Sequence, residues 1–120
     1  MRAKILNASA GSGKTYQLAY KYVRDVIDQP GLYRHILAVT FTNKATEEMK
    51  SRILKEIHRL ASGGASPYLE NLCRELSLDE RSVRKRAAEV RSKILHDYSR
   101  FTVLTIDTFF QRILRAFIKE

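Results

Sequence analysis

The hydrophobic and polar positions of this chain follow two different periods. Continuous apolar runs are typical of buried strands, and apolar residues repeated at three and four positions are typical of one buried helical face. The apolar runs predict strands over residues 1–7, 35–42 and 101–106. The helical repeats predict a helix behind each strand and further helices between residues 63 and 98.

Capping and breaking residues set the expected boundaries of these helices. Pro30 and Gly31 follow the first helix, which is predicted over 16–28, and Gly63 and Gly64 end the second. Small polar residues before a helical repeat predict helix starts, because their oxygens can accept backbone N–H bonds. The predicted starts are Thr42 or Asn43 for the second helix, Ser66 with Pro67 for the third, and the capping box Ser77–Glu80 for the fourth.

The order of these elements predicts the fold class. Strands that alternate with helices favour an α/β protein with a parallel sheet, in which residues from about 63 to 98 form a helical insertion. Three strands make a small sheet for this class, and no glycine cap follows the apolar face of the last helix. We therefore expect an incomplete sheet that belongs to a larger domain.

Composition narrows the class of protein. Apolar residues make up 44% of the chain, which is enough for a folded core, and no apolar run approaches the ~20 residues of a membrane span. The N-terminus also lacks the long apolar segment of a secretion signal, so we expect a soluble, cytoplasmic protein that does not bind membranes. Cys73 is the one cysteine of the chain and lies among leucines, which predicts a packing role.

The formal net charge of +9 indicates an anionic partner. Lysine and arginine release counterions when they neutralise phosphates, so nucleic acid is the leading partner on charge alone. A solvated helical face is the alternative for the densest basic segment. That segment contains Arg81, Arg84, Lys85, Arg86, Arg91 and Lys93.

The residues ASAGSGKT, between the first strand and the first helix, have the pattern of a phosphate-binding loop. Gly11 and Gly13 let the backbone turn tightly and direct N–H groups at phosphate oxygens. Lys14 would reach the β- and γ-phosphates, and Thr15 would offer its hydroxyl to Mg²⁺. Ala8 replaces the usual first glycine, and a flexible turn is the alternative interpretation. The predicted nucleotide-binding residues are Ala8, Ser9, Ala10, Gly11, Ser12, Gly13, Lys14 and Thr15.

Two further blocks accompany the loop, AVTFTNKATEEMKSRI at 38–53 and TIDTFFQRIL at 105–114. With the loop, they resemble the start of a superfamily I DNA helicase of the UvrD/Rep group, and especially its RecB and AddA helicase–nuclease branch. This resemblance implies that residues 1–120 are the N-terminal part of an ATP-binding, RecA-like P-loop domain that uses ATP and Mg²⁺. It also implies that Lys14 and Thr15 are catalytic.

The resemblance further implies that both blocks contact single-stranded DNA. Ligands bind at the strand ends of open α/β sheets, and Phe41 offers a ring face on which any base can stack. Core packing is the alternative for Phe41 and Phe109. The Asp-Thr-Phe at 107–109 departs from the His-Ser-Phe that is frequent in the family. The implied DNA-contacting residues are Thr40, Phe41, Thr42, Asn43, Thr105, Asp107, Thr108 and Phe109.

Asp107 has a second interpretation. An apolar strand that ends in Asp can also hold Mg²⁺ in a phosphate-loop NTPase, which would make the chain a small kinase or ATPase. A basic binding module without enzymatic activity is a third interpretation. As a helicase that acts in DNA repair, the protein would have three kinds of partner: single-stranded or duplex-end DNA, the remaining helicase domains of the same chain, and a nuclease subunit.

Overall fold

The computed structural model describes residues 4–7 and 12–118, with side chains described from residue 16 to 118. This part of the chain has the α/β class that the sequence predicts. Its strands are β1 (Lys4–Asn7), β2 (Ile36–Thr40) and β3 (Thr102–Thr105). Its helices are α1 (Ser12–Asp28), α2 (Asn43–Ala61), α3 (Leu69–Leu76), α4 (Glu80–His96) and α5 (Ile106–Ile118), and short 3-10 helices cover Pro30–His35 and Tyr98–Arg100.

The described strands form one parallel sheet in the order β1–β2–β3. The register pairs Asn7 with Val39 and Thr40 with Thr105. β2 is therefore the central strand, and all of its residues except Leu37 are buried. A nearly continuous apolar run suits this position because strands of parallel sheets are covered on both faces.

The core lies where α1, α2 and α4 pack together and against the sheet. The segment 63–98 is helical, as predicted. Its helix α4 is part of the core, because it packs along α2 and also contacts α1. The helical period therefore predicted the buried faces of α1, α2 and α4 correctly, whereas the apolar face of α5 is largely exposed. The fully buried helix residues in this core include Ala19, Tyr22, Val23, Val26 and Ile27 of α1, Met49, Ile53 and Leu60 of α2, and Val83, Ala87 and Val90 of α4.

Two strands are shorter than predicted because hydroxyl caps begin the next helices within the predicted strand ranges. Thr42, one of the two predicted caps, accepts the Ala45 N–H at 3.0 Å and starts α2, so β2 stops two residues before its predicted end. Thr105 accepts the Thr108 N–H at 3.3 Å, and α5 begins at Ile106, which was predicted to end the strand.

The predicted capping box of α4 is wrong. Ser77 has φ 53° and ψ 44°, the left-handed conformation, and it ends α3 instead of opening the next helix. Asp79 caps α4 by accepting the Ser82 N–H at 2.8 Å. Hydrogen bonds from Ser82 hold the pKa of the Asp79 carboxyl below its usual value. A carboxylate one residue before Glu80 therefore replaces the predicted hydroxyl as the cap.

The predicted start of α3 is also wrong. Ser66 does accept a backbone N–H, but the donor is Tyr68 at 3.2 Å, within a turn that contains Pro67. The helix itself begins at Leu69. The proline stiffens the turn before the helix rather than the first helical residue.

Candidate functional site

The carboxyl ends of the described strands lie side by side at one edge of the sheet. Asn7, the last residue of β1, pairs with Val39, one residue before the end of β2. Thr40 pairs with Thr105, and these are the last residues of β2 and β3. The residues that follow the three strand ends in sequence are those of the three motif blocks. Edges of this kind are where open α/β sheets bind ligands.

The phosphate loop lies partly outside the described residues. Residues 8–11 are not described, and neither are the side chains of residues 12–15. The backbone of Ser12, Gly13, Lys14 and Thr15 forms the first turn of α1, so this helix begins four residues before its predicted start at Tyr16. The first N–H groups of a helix have no partners within the helix, and they favour an anion.

Three of the four predicted DNA-contacting residues of the first block are exposed. Half of the Phe41 surface, 51%, is exposed, and Thr42 and Asn43 are exposed as well. Core packing, the alternative considered for Phe41, is therefore wrong. An exposed ring beside a hydroxyl and an amide at a strand end can stack on a base and bond to a sugar or phosphate.

Thr40 differs from the three residues that follow it. Its side chain is fully buried, and its Oγ1 lies 2.6 Å from the Oγ1 of Thr46 in a hydrogen bond. It also donates to the Leu104 carbonyl of β3 at 3.4 Å. A ligand could bond to the Thr40 hydroxyl only if this internal pair opened. Its position suits a residue that holds the block in place.

The second predicted DNA block forms the start of α5. Thr105 Oγ1 donates to Thr108 Oγ1 at 3.0 Å, so these two hydroxyls bond to each other across the cap. Asp107 is exposed in the first turn, where the helix dipole favours a carboxylate. Phe109 is half-buried, and its ring centroid lies 6.2 Å from that of Phe110.

Asp107 is not next to the strand that precedes the phosphate loop. β2 lies between β1 and β3. Neighbouring strands are about 4.8 Å apart, so the end of β3 lies about 10 Å from the end of β1. The carboxylate also projects from a helix and not from a strand. This placement fits an exposed residue of the ligand edge better than a group that shares a cation with Thr15.

Sequence reasoning missed the role of two arginines on α4. Arg84 donates to the carbonyls of Leu60 at 3.1 Å and Gly64 at 3.0 Å, at the end of α2. Arg86 donates to the carbonyl of Asp28 at 2.9 Å, at the end of α1. The last carbonyls of a helix lack partners within the helix, and these guanidinium groups supply them. A solvated face describes only the exposed members of the segment, which include Arg81, Lys85 and Lys93.

No local sequence pattern predicts that Arg84 and Arg86 cap other helices. The carbonyls that Arg84 and Arg86 bind lie 20 to 59 residues away along the chain. Cys73 has the predicted packing role, since it is partly buried against the core. Within the described ranges, no three His, Cys, Asp or Glu side chains come together as a metal site requires. Among the described helices, none combines the length and hydropathy needed to span a bilayer.

Comparison with known proteins supports the resemblance of the motifs. Residues 2–120 match the family model described as the UvrD/REP helicase N-terminal domain. The RecBCD enzyme subunit RecB of Escherichia coli is 31% identical over 119 residues, which cover 92% of this chain and 10% of that protein. RecB of Chlamydia trachomatis is 33% identical over 112 residues, 82% of this chain and 11% of that protein.

A relative with a different name matches a shorter part. This ATP-dependent helicase/nuclease subunit, from Bacillus mycoides, is 36% identical over 76 residues, which cover 62% of this chain and 6% of that protein. The chain spans about a tenth or less of the length of these curated relatives. Because the family model covers nearly all of the sequence, the chain belongs to the UvrD/REP helicase N-terminal domain family.

Proposed function

We propose that this chain is the nucleotide-binding segment of an ATP-dependent DNA helicase that moves on single-stranded DNA. It would form the N-terminal part of a RecA-like P-loop domain, residues 1–120, with a helical insertion at about 63–98. One observation carries the assignment of the site: the three motif blocks follow strand ends that are aligned at one sheet edge. Membership of the helicase family supports the class of reaction.

ATP would bind at the end of β1. The N–H groups of the first turn of α1 favour an anion at this place, which supports phosphate binding by residues 8–15. Lys14 would neutralise the β- and γ-phosphates, and Thr15 would hold Mg²⁺ through its hydroxyl. Mg²⁺ would supply positive charge to the phosphates. Lys14 and Thr15 are therefore the catalytic residues that we propose.

Single-stranded DNA would bind beside the nucleotide, across the ends of β2 and β3. Phe41 would stack on a base, while Thr42 and Asn43 would bond to the sugar–phosphate backbone. Their exposure supports this role. Thr40 would keep the block in position through its buried bond to Thr46. The residues proposed to act from the second block are Thr105, Asp107, Thr108 and Phe109.

Movement would follow from the different affinities that the protein has for DNA with and without the γ-phosphate. A ligand shifts a conformational equilibrium only by its differential affinity for the two states. We propose that the remaining helicase domains close on the nucleotide and open after its release. Because the relatives are far longer than this chain, we expect residues 1–120 alone to bind ATP and DNA weakly and not to unwind duplexes.

The names of the relatives suggest further partners. RecB is named as part of the RecBCD enzyme, and the Bacillus mycoides relative is named as a helicase/nuclease. We propose that the intact protein works with a nuclease domain or nuclease subunit in DNA repair. Duplex ends would then be its entry points on DNA.

The first test measures ATP hydrolysis by the intact protein with and without single-stranded DNA. We expect stimulation by DNA, and a loss of about 100-fold or more in Lys14→Ala, because one charge-stabilising group is removed from the reacting phosphates. Lys21→Ala is the matched control, since Lys21 is an exposed lysine of the same helix. Full activity in Lys14→Ala, or no response to DNA, would contradict the proposal.

The second test separates the helicase from the small kinase or ATPase. Asp107→Asn removes a charge without changing the shape of the side chain. We expect Mg–ATP affinity to stay within about twofold, and affinity for single-stranded DNA to rise about twofold because one repulsion of phosphate is lost. A large loss of Mg–ATP affinity with unchanged DNA binding would instead favour the role of Asp107 as a magnesium-binding acid.

A further inference from the structure

Three tyrosines form a cluster where the insertion meets the first helix. Tyr16 and Tyr20 lie on α1, and Tyr68 lies in the turn before α3. The Tyr68 ring meets both of the others edge to face, with ring centroids 5.2 Å apart in each pair. Tyr68 is 1% exposed, whereas Tyr16 is 38% exposed. The insertion therefore places one buried ring against the beginning of α1.

The hydroxyl of Tyr68 bonds to the main chain of that helix. It donates to the Tyr16 carbonyl at 3.1 Å. Tyr16 directly follows Lys14 and Thr15 in the sequence, so this bond holds the backbone next to the phosphate-loop residues. Burial raises the pKa of Tyr68 to about 12, so its hydroxyl keeps the proton that it donates at neutral pH.

Tyr16 is held from a second side by α2. The Arg52 guanidinium lies over its ring, 5.3 Å from the centroid. A guanidinium at this distance from a ring face is attracted to it, which restricts the ring. Tyr16 is thus fixed through its carbonyl by the insertion and through its ring by α2.

Tyr68 is itself tied to α2 by a short series of hydrogen bonds. Its N–H donates to Ser66 Oγ at 3.2 Å, and Ser66 Oγ donates to Glu56 Oε1 at 3.2 Å. Glu56 is 1% exposed, and the Arg59 guanidinium lies 3.4 Å from its Oε1. A buried carboxylate needs such partners, because leaving it unpaired carries a high desolvation cost.

We propose that Tyr68 is a positioning residue of the nucleotide site, which fixes the start of α1 relative to α2 through the Tyr16 main chain. This inference rests on the proposed function, since it needs a nucleotide at the loop before α1. α2 begins at the first proposed DNA block. The series Glu56–Ser66–Tyr68–Tyr16 therefore joins the helix that follows the DNA block to the helix that follows the phosphate loop.

The test is Tyr68→Phe in the intact protein, which keeps the buried ring and removes only the hydroxyl. Loss of the hydrogen bond that fixes the Tyr16 main chain should raise the KM for ATP about fivefold and leave kcat within about twofold. Tyr20→Phe is the matched control. Tyr20 belongs to the same cluster, but its hydroxyl donates to Glu75 of α3 at 2.6 Å and not to the main chain of α1.

Three measurements decide the outcome: KM and kcat for ATP, the melting temperature, and amide hydrogen exchange along α1. The proposal predicts a raised KM and faster exchange at the start of α1 in Tyr68→Phe but not in Tyr20→Phe. An unchanged KM in Tyr68→Phe, with or without a lower melting temperature, would overturn it, as would an equal rise in both variants. No ATP hydrolysis by the unsubstituted protein would overturn the proposed function and this inference together.

Discussion

The helices α4 and α5 show opposite relations between composition and burial. α4 is rich in charged residues, yet Val83, Ala87, Val90 and Ile94 are buried in the core. α5 has a broad apolar face, yet no described side chain of this helix is buried, and Phe117 is 75% exposed. An amphipathic period therefore tells which face of a helix can be covered, and the neighbouring elements decide whether it is covered.

Side chains outside the apolar core also fall into two groups: those that bind within the protein and those that stay exposed. On α4, Arg84 and Arg86 are used within the protein, because they bind the carbonyls at the ends of other helices. At the carboxyl edge of the sheet, Phe41 and Asn43 stay exposed. The arginines of the helical core thus bind within the protein, whereas these side chains of the sheet edge remain accessible, as the proposed ligand site requires.

The contrast between core and exposed helix predicts the largest difference between two variants. Ile53→Ala should lower the free energy of unfolding of residues 1–120 by about 2–5 kcal/mol, since Ile53 is fully buried and its removal leaves a cavity. Leu114→Ala on α5 should change it by no more than about 0.5 kcal/mol, because Leu114 is 59% exposed. Urea unfolding followed by circular dichroism measures both. Equal losses would contradict the division.

The function of the sheet edge is tested with an exposed ring. Phe41→Ala should weaken binding of an oligothymidine by about 1–3 kcal/mol, or between about fivefold and 150-fold, because a stacking surface for a base is lost. Tyr98→Ala is the control, since Tyr98 is an equally exposed ring before β3, at the opposite edge. Fluorescence anisotropy gives both affinities. A similar loss in the two variants would argue against a site at the carboxyl edge.

The internal use of arginine is tested on α4. Arg84→Ala should destabilise the fold by about 1–2 kcal/mol, because the carbonyls at the end of α2 lose their donor. Arg81→Ala removes an exposed arginine of the same helix and should have an effect within about 0.5 kcal/mol. Thermal unfolding of the two variants compares them. If instead both variants kept their stability and lost DNA affinity equally, α4 would be a DNA-binding face.

The smallest effect at neutral pH comes from the buried phenols. Burial raises the pKa of Tyr20, Tyr22 and Tyr68 above the ordinary value near 10. The folded state therefore favours the neutral phenol, and its contribution is complete below about pH 10 and is lost as pH rises toward the folded pKa, about 12 for Tyr68. Unfolding free energies measured across this range should fall with pH, and less steeply in Tyr68→Phe. An equal slope in both proteins would contradict the assignment.

The sequence predicted much of the fold and the placement of the two proposed DNA blocks at strand ends. The apolar faces of α1, α2 and α4 and the three parallel strands are present as expected. The errors concern ends of elements, where single hydrogen bonds decide. Asp79 was the better cap because its carboxylate reaches the Ser82 N–H, whereas Ser77 takes a left-handed conformation at the end of α3. Ser77 and Asp79 are both suitable cap residues in sequence, and only the backbone conformation shows that Asp79 is the one that caps α4.

The sequence by itself predicted the nucleotide-binding residues, because the glycine loop is a local pattern with a chemical meaning, and the resemblance of the TFTN and TIDTFF runs to the helicase family implied the DNA contacts. The sequence also determined the faces of the helices, which follow from the period of a regular backbone. Only the tertiary structure decided that Thr40 is buried against Thr46, that the arginines of α4 cap distant helices, and that Tyr68 reaches the start of α1. The partners of the arginines and of Tyr68 lie 20 or more residues away in the chain, so no local pattern predicts these contacts and only packing brings the residues together.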